Sequence, residues 1–294
     1  MFIESGVFGG IMGIRKLMIA VAAFLSILFL LSTYTLPAFA AFDGAGYKTI
    51  NLASFFGEYK NSAFVLYNCE TGITYVYNYE LAQKRISPCS TFKIPNSLIG
   101  LETKVISDEN HVIKWDGKPG YFKSWNGDHT LASAIKNSVV WYYQALAEKV
   151  GVKRMKYYID SIHYGNMDIS GGISKFWLHG PDGSLKISAL EQVEFLKRLF
   201  FEKLPFTIEN MKIVKKIIEL DRGENYLLSG KTGSGMEAGR HACGWFVGMA
   251  ENKKARYIFA SVIECGYKLE EKPPMGMEAK KITIEILKSL KIIK

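Results

Sequence analysis

Strand-like runs stand at both ends of this chain with helical sequence between them, and that arrangement restricts the fold more than any other feature. Ala63–Tyr67 and Ile73–Tyr79 are rich in β-branched and aromatic residues and are joined by residues 68–72, which end on Gly72. They predict an antiparallel hairpin. Tyr226–Ser229, Gly244–Met249 and Tyr257–Ile263 repeat the pattern near the other end. The interior reads as helix: Leu131–Lys136, Trp141–Val150 closed by Gly151, Lys153–Ile162, a helix running to Phe200 from the capping box Ser188–Glu191, and Thr207–Leu220. Ile282, Ile286, Leu290 and Ile293 then share one face of a final helix. The expected class is α+β, an antiparallel sheet of about five strands flanked by N- and C-terminal helices, with a helical lobe inserted. The sheet lobe would take residues 41–103 and 221–294, the inserted lobe residues 104–220, and a site would lie where the two meet.

The first forty residues read differently. Arg15 and Lys16 precede an apolar run from Leu17 to Leu31, and Ala38-Phe39-Ala40 offers a small-x-small processing site. Residues 1–40 therefore predict an export signal cut after Ala40, and an exported protein, secreted or held at the cell surface. Left uncut, the same leader would anchor the chain in a membrane. The net charge of +9 suits anionic small substrates and acidic surfaces. There is no Lys/Arg block interleaved with aromatics, so nucleic acid is not an expected partner. The oligomeric state is left open. Four cysteines without a C-x-x-C spacing and five histidines without an H-x-x-x-H pair give no metal site. Cys243 and Cys265 can face each other on neighbouring strands, although spacing does not fix a pairing.

Ser90-Thr91-Phe92-Lys93 puts a hydroxyl and an amine three residues apart, behind the turn Ser87-Pro88-Cys89 and ahead of the apolar positions Leu98, Leu101 and Val105. On a helix both side chains share a face, and Ser90 at its N-terminus meets backbone N–H groups that favour developing negative charge. Serine is a poor nucleophile until a base takes its proton. Lys93 can be that base if burial lowers its pKa or if its amine is converted to an anion. Lys231-Thr232-Gly233 follows a strand and offers a cation, a hydroxyl and a position where a substrate backbone can come close. Ser138, between two helices, adds a hydroxyl suited to a helix cap or a proton relay.

Taken in order, Ser90–Lys93, Ser138-Val139-Val140, Tyr164-Gly165-Asn166, Trp177, Lys231-Thr232-Gly233 and Gly244-Trp245-Phe246-Val247-Gly248 resemble the motif set of the class D, oxacillinase-type serine β-lactamases. The resemblance runs from about residue 60 to the C-terminus. It implies hydrolysis of the β-lactam amide of penicillins and resistance to them, through an acyl-enzyme on Ser90. It implies no bound cofactor, but carbon dioxide or bicarbonate as the source of an N-carbamate on Lys93, the general base, held by the Trp177 indole N–H. Ser138 would pass a proton to the leaving nitrogen, Val140 would wall the lysine pocket, and Lys231, Thr232 and Gly233 would receive the substrate. Backbone N–H groups of Ser90 and Ser234 would form the oxyanion hole. One position departs: where many class D enzymes carry an arginine for the substrate carboxylate, this chain has Ala279, with Lys280, Lys281 and Arg240 as nearby cations. The motifs, with Trp141-Tyr142-Tyr143, also resemble penicillin-sensing receptor domains, which stay acylated, and more distantly the penicillin-binding transpeptidases.

Overall fold

A computed structural model describes residues 39–42, 46–268 and 270–294. The expected leader, with its apolar run 17–31, falls outside these residues apart from Phe39 and Ala40. By its contacts the chain divides into Met1–Phe39 and Ala40–Lys294, and the fold is that of the second unit.

Strands β1 (Phe39–Phe42) and β2 (Tyr47–Ile50) lead to a one-turn helix α1 (Ala53–Phe56). The predicted hairpin comes next as β3 (Ser62–Asn68) and β4 (Thr74–Tyr77). Its loop is fixed by Asn68 Oδ1, which accepts from the amides of Glu70 and Thr71 at 2.9 and 3.1 Å. After α2 (Tyr79–Gln83), a 3-10 turn over Cys89–Phe92 runs into α3 (Lys93–Glu102). A small ribbon, β5 (Val112–Ile113) with β6 (His129–Thr130), precedes the helices α4 (Leu131–Lys136), α5 (Val140–Val150), α6 (Val152–Ser161), α7 (Ala189–Phe200) and α8 (Ile208–Ile217). The chain closes with β7 (Glu219–Arg222), β8 (Tyr226–Glu237), β9 (Arg240–Asn252), β10 (Arg256–Glu264) and α9 (Met275–Ser289). Local chemistry sets the helix ends. Ser188 and Glu191 form the predicted capping box of α7, and Gly151 at φ 79° separates α5 from α6.

Among the described residues the main sheet runs β1-β2-β4-β3-β10-β9-β8-β7. The pairs from β4 to β7 are antiparallel, as predicted, while β2 lies parallel to β4. Both ends of the chain therefore complete one sheet. It is wider than the five strands expected because two edges escape the apolar pattern. The sequence pattern predicts a helix through Leu220; α8 instead stops at Ile217, and the four exposed residues Glu219–Arg222 pair with β8 through a bulge.

Two apolar layers sandwich the sheet. On β3, Ala63 and Val65 face the layer that holds Val193 and Leu196 of α7, while Phe64 and Leu66 face Ile282 and Ile286 of α9. Covered on both faces, β3 reads as an unbroken apolar run. α9 begins at Met275, well before the apolar face that announces it, and lies across β8 and β9. A Cβ on Gly244 would come within 2.2 Å of Met275 O, and one on Gly276 within 2.6 Å of Gly233 O. These two glycines set how closely helix and sheet approach.

Candidate active site

The Ser90 turn is built before any chemistry is added. Pro88 O accepts from the Thr91 amide at 3.1 Å and from Thr91 Oγ1 at 2.7 Å, and Gln192 Nε2 on α7 donates to that Oγ1 at 2.8 Å. The Cys89 amide donates to Trp177 O, and Trp245 Nε1 on β9 donates to Ser87 O, both at 3.0 Å. Three separate parts of the chain thus hold one turn. The expected helix over Ser90 begins as this 3-10 turn and becomes α-helical only at Lys93, which still brings the two side chains together.

Lys93 is completely buried. Its Nζ donates to Ser90 Oγ at 2.7 Å and stands 5.5 Å from the centroid of the Tyr143 ring. Burial first, and then the charge of Lys231, holds its pKa well below the ordinary lysine value, which favours the neutral amine. Around it Ser97 Oγ donates to Lys93 O at 2.7 Å and shares a hydrogen bond of 2.9 Å with Tyr143 Oη. Burial raises the Tyr143 phenol, so no anion forms there. Trp177 is also fully buried and stacks on Phe92 with ring centroids 5.4 Å apart. Its Nε1 is buried with no hydrogen-bond acceptor. A buried N–H without an acceptor is costly.

Across the site, Lys231 on β8 directs Nζ to Ser138 Oγ at 3.1 Å and to Thr232 O at 3.0 Å. Ser138 sits between α4 and α5 at φ 55°, and Val139 rather than Ser138 takes the N-cap of α5. The hydroxyl is therefore free to meet the lysine instead of capping. Burial, helped by the charge of Lys280, lowers the Lys231 pKa to about 7. Thr232 and Ser234 are half-buried, as is Val140 in the first turn of α5. Ser234 Oγ accepts from the Gly276 amide at 2.9 Å. Gly233 is expected to receive the substrate, but its missing Cβ serves the turn: a methyl there would lie 3.0 Å from Pro88 O and 3.2 Å from Thr91 Cγ2. The structure brings Ser90 to Lys93 and Ser138 to Lys231, with β8 pressed against the Ser90 turn.

Other expectations resolve less simply. Ala279 is buried in the α9 face against the sheet, while Lys280 lies one turn beyond Gly276 and, among the described residues, makes no ion pair. Arg240 is tied instead to Gly266 O at 2.8 Å. Tyr164-Gly165-Asn166 is structural: Asn166 accepts from the Lys186 amide and donates to Ser184 O, both at 2.9 Å, and a Cβ on Gly165 would meet Lys186 O at 2.0 Å. The thiols of all four cysteines are free, and Cys243 does not face Cys265. Glu264 stands opposite Cys243, one residue short of Cys265, and neighbouring strand residues point to opposite faces. Sequence reasoning missed Gln192 and named Tyr143 and Trp245 only as members of motifs, without the packing and long-range bonds through which all three act. A single sequence signals such residues only as apolar or polar positions within helices and strands.

Residues 51–288 match the penicillin-binding protein transpeptidase domain family. The chain is 43% identical over 238 residues to the probable β-lactamase YbxI of Bacillus subtilis, covering 80% of this chain and 84% of that protein. Among solved structures, the class D β-lactamase BAT-2 superposes with a TM-score of 0.76 at 43% identity, over 83% of this chain and 97% of that one. The C-terminal domain of the Bacillus licheniformis BlaR penicillin receptor gives 0.77 at 34% identity, over 86% and 100%.

Proposed function

This chain belongs to the class D serine β-lactamases, hydrolases of the β-lactam amide, and from that premise we propose that Ser90 is its acylated nucleophile, that Lys93 works as an N-carbamate, and that penicillins are its substrates. The observation that carries the reading is the fully buried Lys93 bonded at 2.7 Å to Ser90 Oγ, its pKa depressed by that burial; the buried Trp177 indole N–H without an acceptor supports it.

A neutral amine adds carbon dioxide and an ammonium does not, so the burial that depresses the Lys93 pKa also makes it reactive. Bound there, the carbon dioxide would supply an anionic oxygen base, held by Lys93 itself and by the Trp177 N–H. Ser90 gives its proton toward the Lys93 side chain as Oγ attacks the β-lactam carbonyl. The carbonyl oxygen takes up the negative charge against the backbone N–H groups of Ser90 and Ser234, each such donor being worth about 3 kcal/mol in other acyl-transfer enzymes. The C–N bond then breaks, and Ser138 relays a proton to the nitrogen, taking one in turn from Lys231 at 3.1 Å. Lys231 and Thr232 hold the substrate carboxylate, with Lys280 the additional cation closest along the α9 face. Val140 limits water around Lys93, and one water hydrolyses the Ser90 ester. Turnover by an exported enzyme would confer resistance on the cell, measured as a raised inhibitory concentration of penicillins.

Bicarbonate tests the lysine. Activity lost on acidification in carbon dioxide-free buffer should return on adding bicarbonate at fixed pH. Indifference to bicarbonate across the pH range contradicts the proposal. The likeness to the BlaR receptor domain supports a second reading, in which Ser90 is acylated and stays so.

A further inference from the structure

Behind the oxyanion strand lies a cluster that hydrolysis does not use. Cys89 and Cys243 are 154 residues apart in the chain, yet their Sγ atoms lie 3.9 Å apart and both residues are almost wholly buried, at 2% and 1% exposure. Cys243 stands opposite Gly235 in the β8–β9 ladder, and a Cβ on Gly235 would come within 2.7 Å of its sulfur and 3.0 Å of His179. The strand therefore gives up a side chain, one residue beyond Ser234, where thiol and imidazole pack. His179 Nδ1 is 4.0 Å from Cys243 Sγ, and its Nε2 is 3.1 Å from Oε2 of the exposed Glu237. Cys89 adopts φ 51°, a left-handed conformation that non-glycine residues enter at a cost and that is found where the surroundings impose it. The other two thiols lie apart from this pair: Cys265 Sγ donates to His241 O, and Cys69 lies at the far end of β3.

We propose that Cys89 and Cys243 are an oxidisable pair, a modification site that a peroxide closes into a disulfide tying the Ser90 turn to β9. The hydrogen bond with Cys89 and then burial hold the Cys243 thiol well above its ordinary pKa, so the reactive thiolate is a minor species, formed as the proton passes to His179, whose imidazolium Glu237 stabilises. The Cys243 sulfur then attacks one oxygen of hydrogen peroxide; the O–O bond breaks, the leaving oxygen departs as water, and a sulfenic acid is left on Cys243. The Cys89 sulfur attacks that sulfur, the S–S bond forms, and the sulfenic oxygen leaves as a second water. Two thiols are oxidised by two electrons and one peroxide is reduced to two waters. Peroxide is close to water in size, which suits a pair too enclosed for a bulky disulfide reagent. The sulfurs must close from 3.9 Å to about 2 Å for the bond to form.

The test uses the intact protein. It is treated with hydrogen peroxide, denatured, labelled with a thiol alkylator and weighed. Two labels, a mass lower by two hydrogens, and a Cys89–Cys243 peptide pair in the non-reducing digest are expected, with four labels after reduction. Cys243→Ala should form no bridge from Cys89. The melting temperature of the wild type should rise by roughly 5 °C or more on oxidation, and that of Cys243→Ala should not. Four labels after peroxide, or a Cys243–Cys265 bridge, overturns the proposal. A Cys89–Cys243 bridge without a change in melting temperature overturns the tether.

Discussion

Trp177 separates two demands that one indole meets. Its ring stacks on Phe92, and its Nε1 is buried without an acceptor. Trp177→Phe keeps most of the packing and deletes the N–H. If that N–H holds the base on Lys93, rapid-quench kinetics on this variant will show deacylation slowed by about tenfold or more while acylation changes less, with acyl-enzyme accumulating. Equal losses in both steps would reduce Trp177 to a packing role. The lysines carry a pH signature. The folded protein depresses both pKa values, Lys231 to about 7 and Lys93 well below the ordinary lysine value, whereas the unfolded chain keeps them protonated up to about pH 10.4. Between those values the unfolded state binds more protons, so stability rises with pH, by up to about 1.4 kcal/mol per pH unit for each group. The urea midpoint should increase from pH 7 to pH 9, and Lys231→Met should flatten that slope. A midpoint that falls over this range contradicts the depressed lysine pKa values.

At the scale of elements, the site depends on how closely a turn, a strand and a helix approach. β8 passes under the Ser90 turn at Gly233, and α9 meets the same strand at Gly276. Gly233→Ala places a methyl 3.0 Å from a backbone oxygen that is held by its own hydrogen bonds, so the turn must move. We expect a fall in kcat/KM of tenfold or more with the fold retained and about 1–3 kcal/mol lost from stability. An unaltered kcat/KM would show that the turn tolerates the shift. These approaches are only partly legible in the sequence. The Lys231-Thr232-Gly233 motif is visible, but the strand pattern ends at Ser229, because Gly230 to Gly235 lack an apolar period. The strand continues to Glu237 because β9 pairs with it along its length. At Gly233 sequence shows that a side chain is missing, and not that the Pro88–Thr91 turn packs where it would be.

Over the whole molecule, the legible feature is the split of strands between the two ends, which imposes one sheet with helices inserted. Five central strands, the helices around Ser188 and Gly151, and the encounter of Ser90 with Lys93 come from local pattern. The edges β1, β2 and β7 do not, since short exposed strands carry no alternation. Nor do the supports of the Ser90 turn, which come from Gln192, Trp177 and Trp245, roughly ninety or more residues away in the chain. Such contacts are written in the packing of distant segments. The likeness to a hydrolase and to a receptor domain extends over 83% and 86% of the chain, so the two proposed readings differ in whether a Ser90 ester is released. Nitrocefin turnover followed by intact mass spectrometry measures that directly. Hydrolysis through Ser90 predicts many turnovers per chain, an adduct on Ser90 only during the reaction, and unmodified protein at its end. A single stoichiometric burst with a lasting adduct on Ser90 would contradict it.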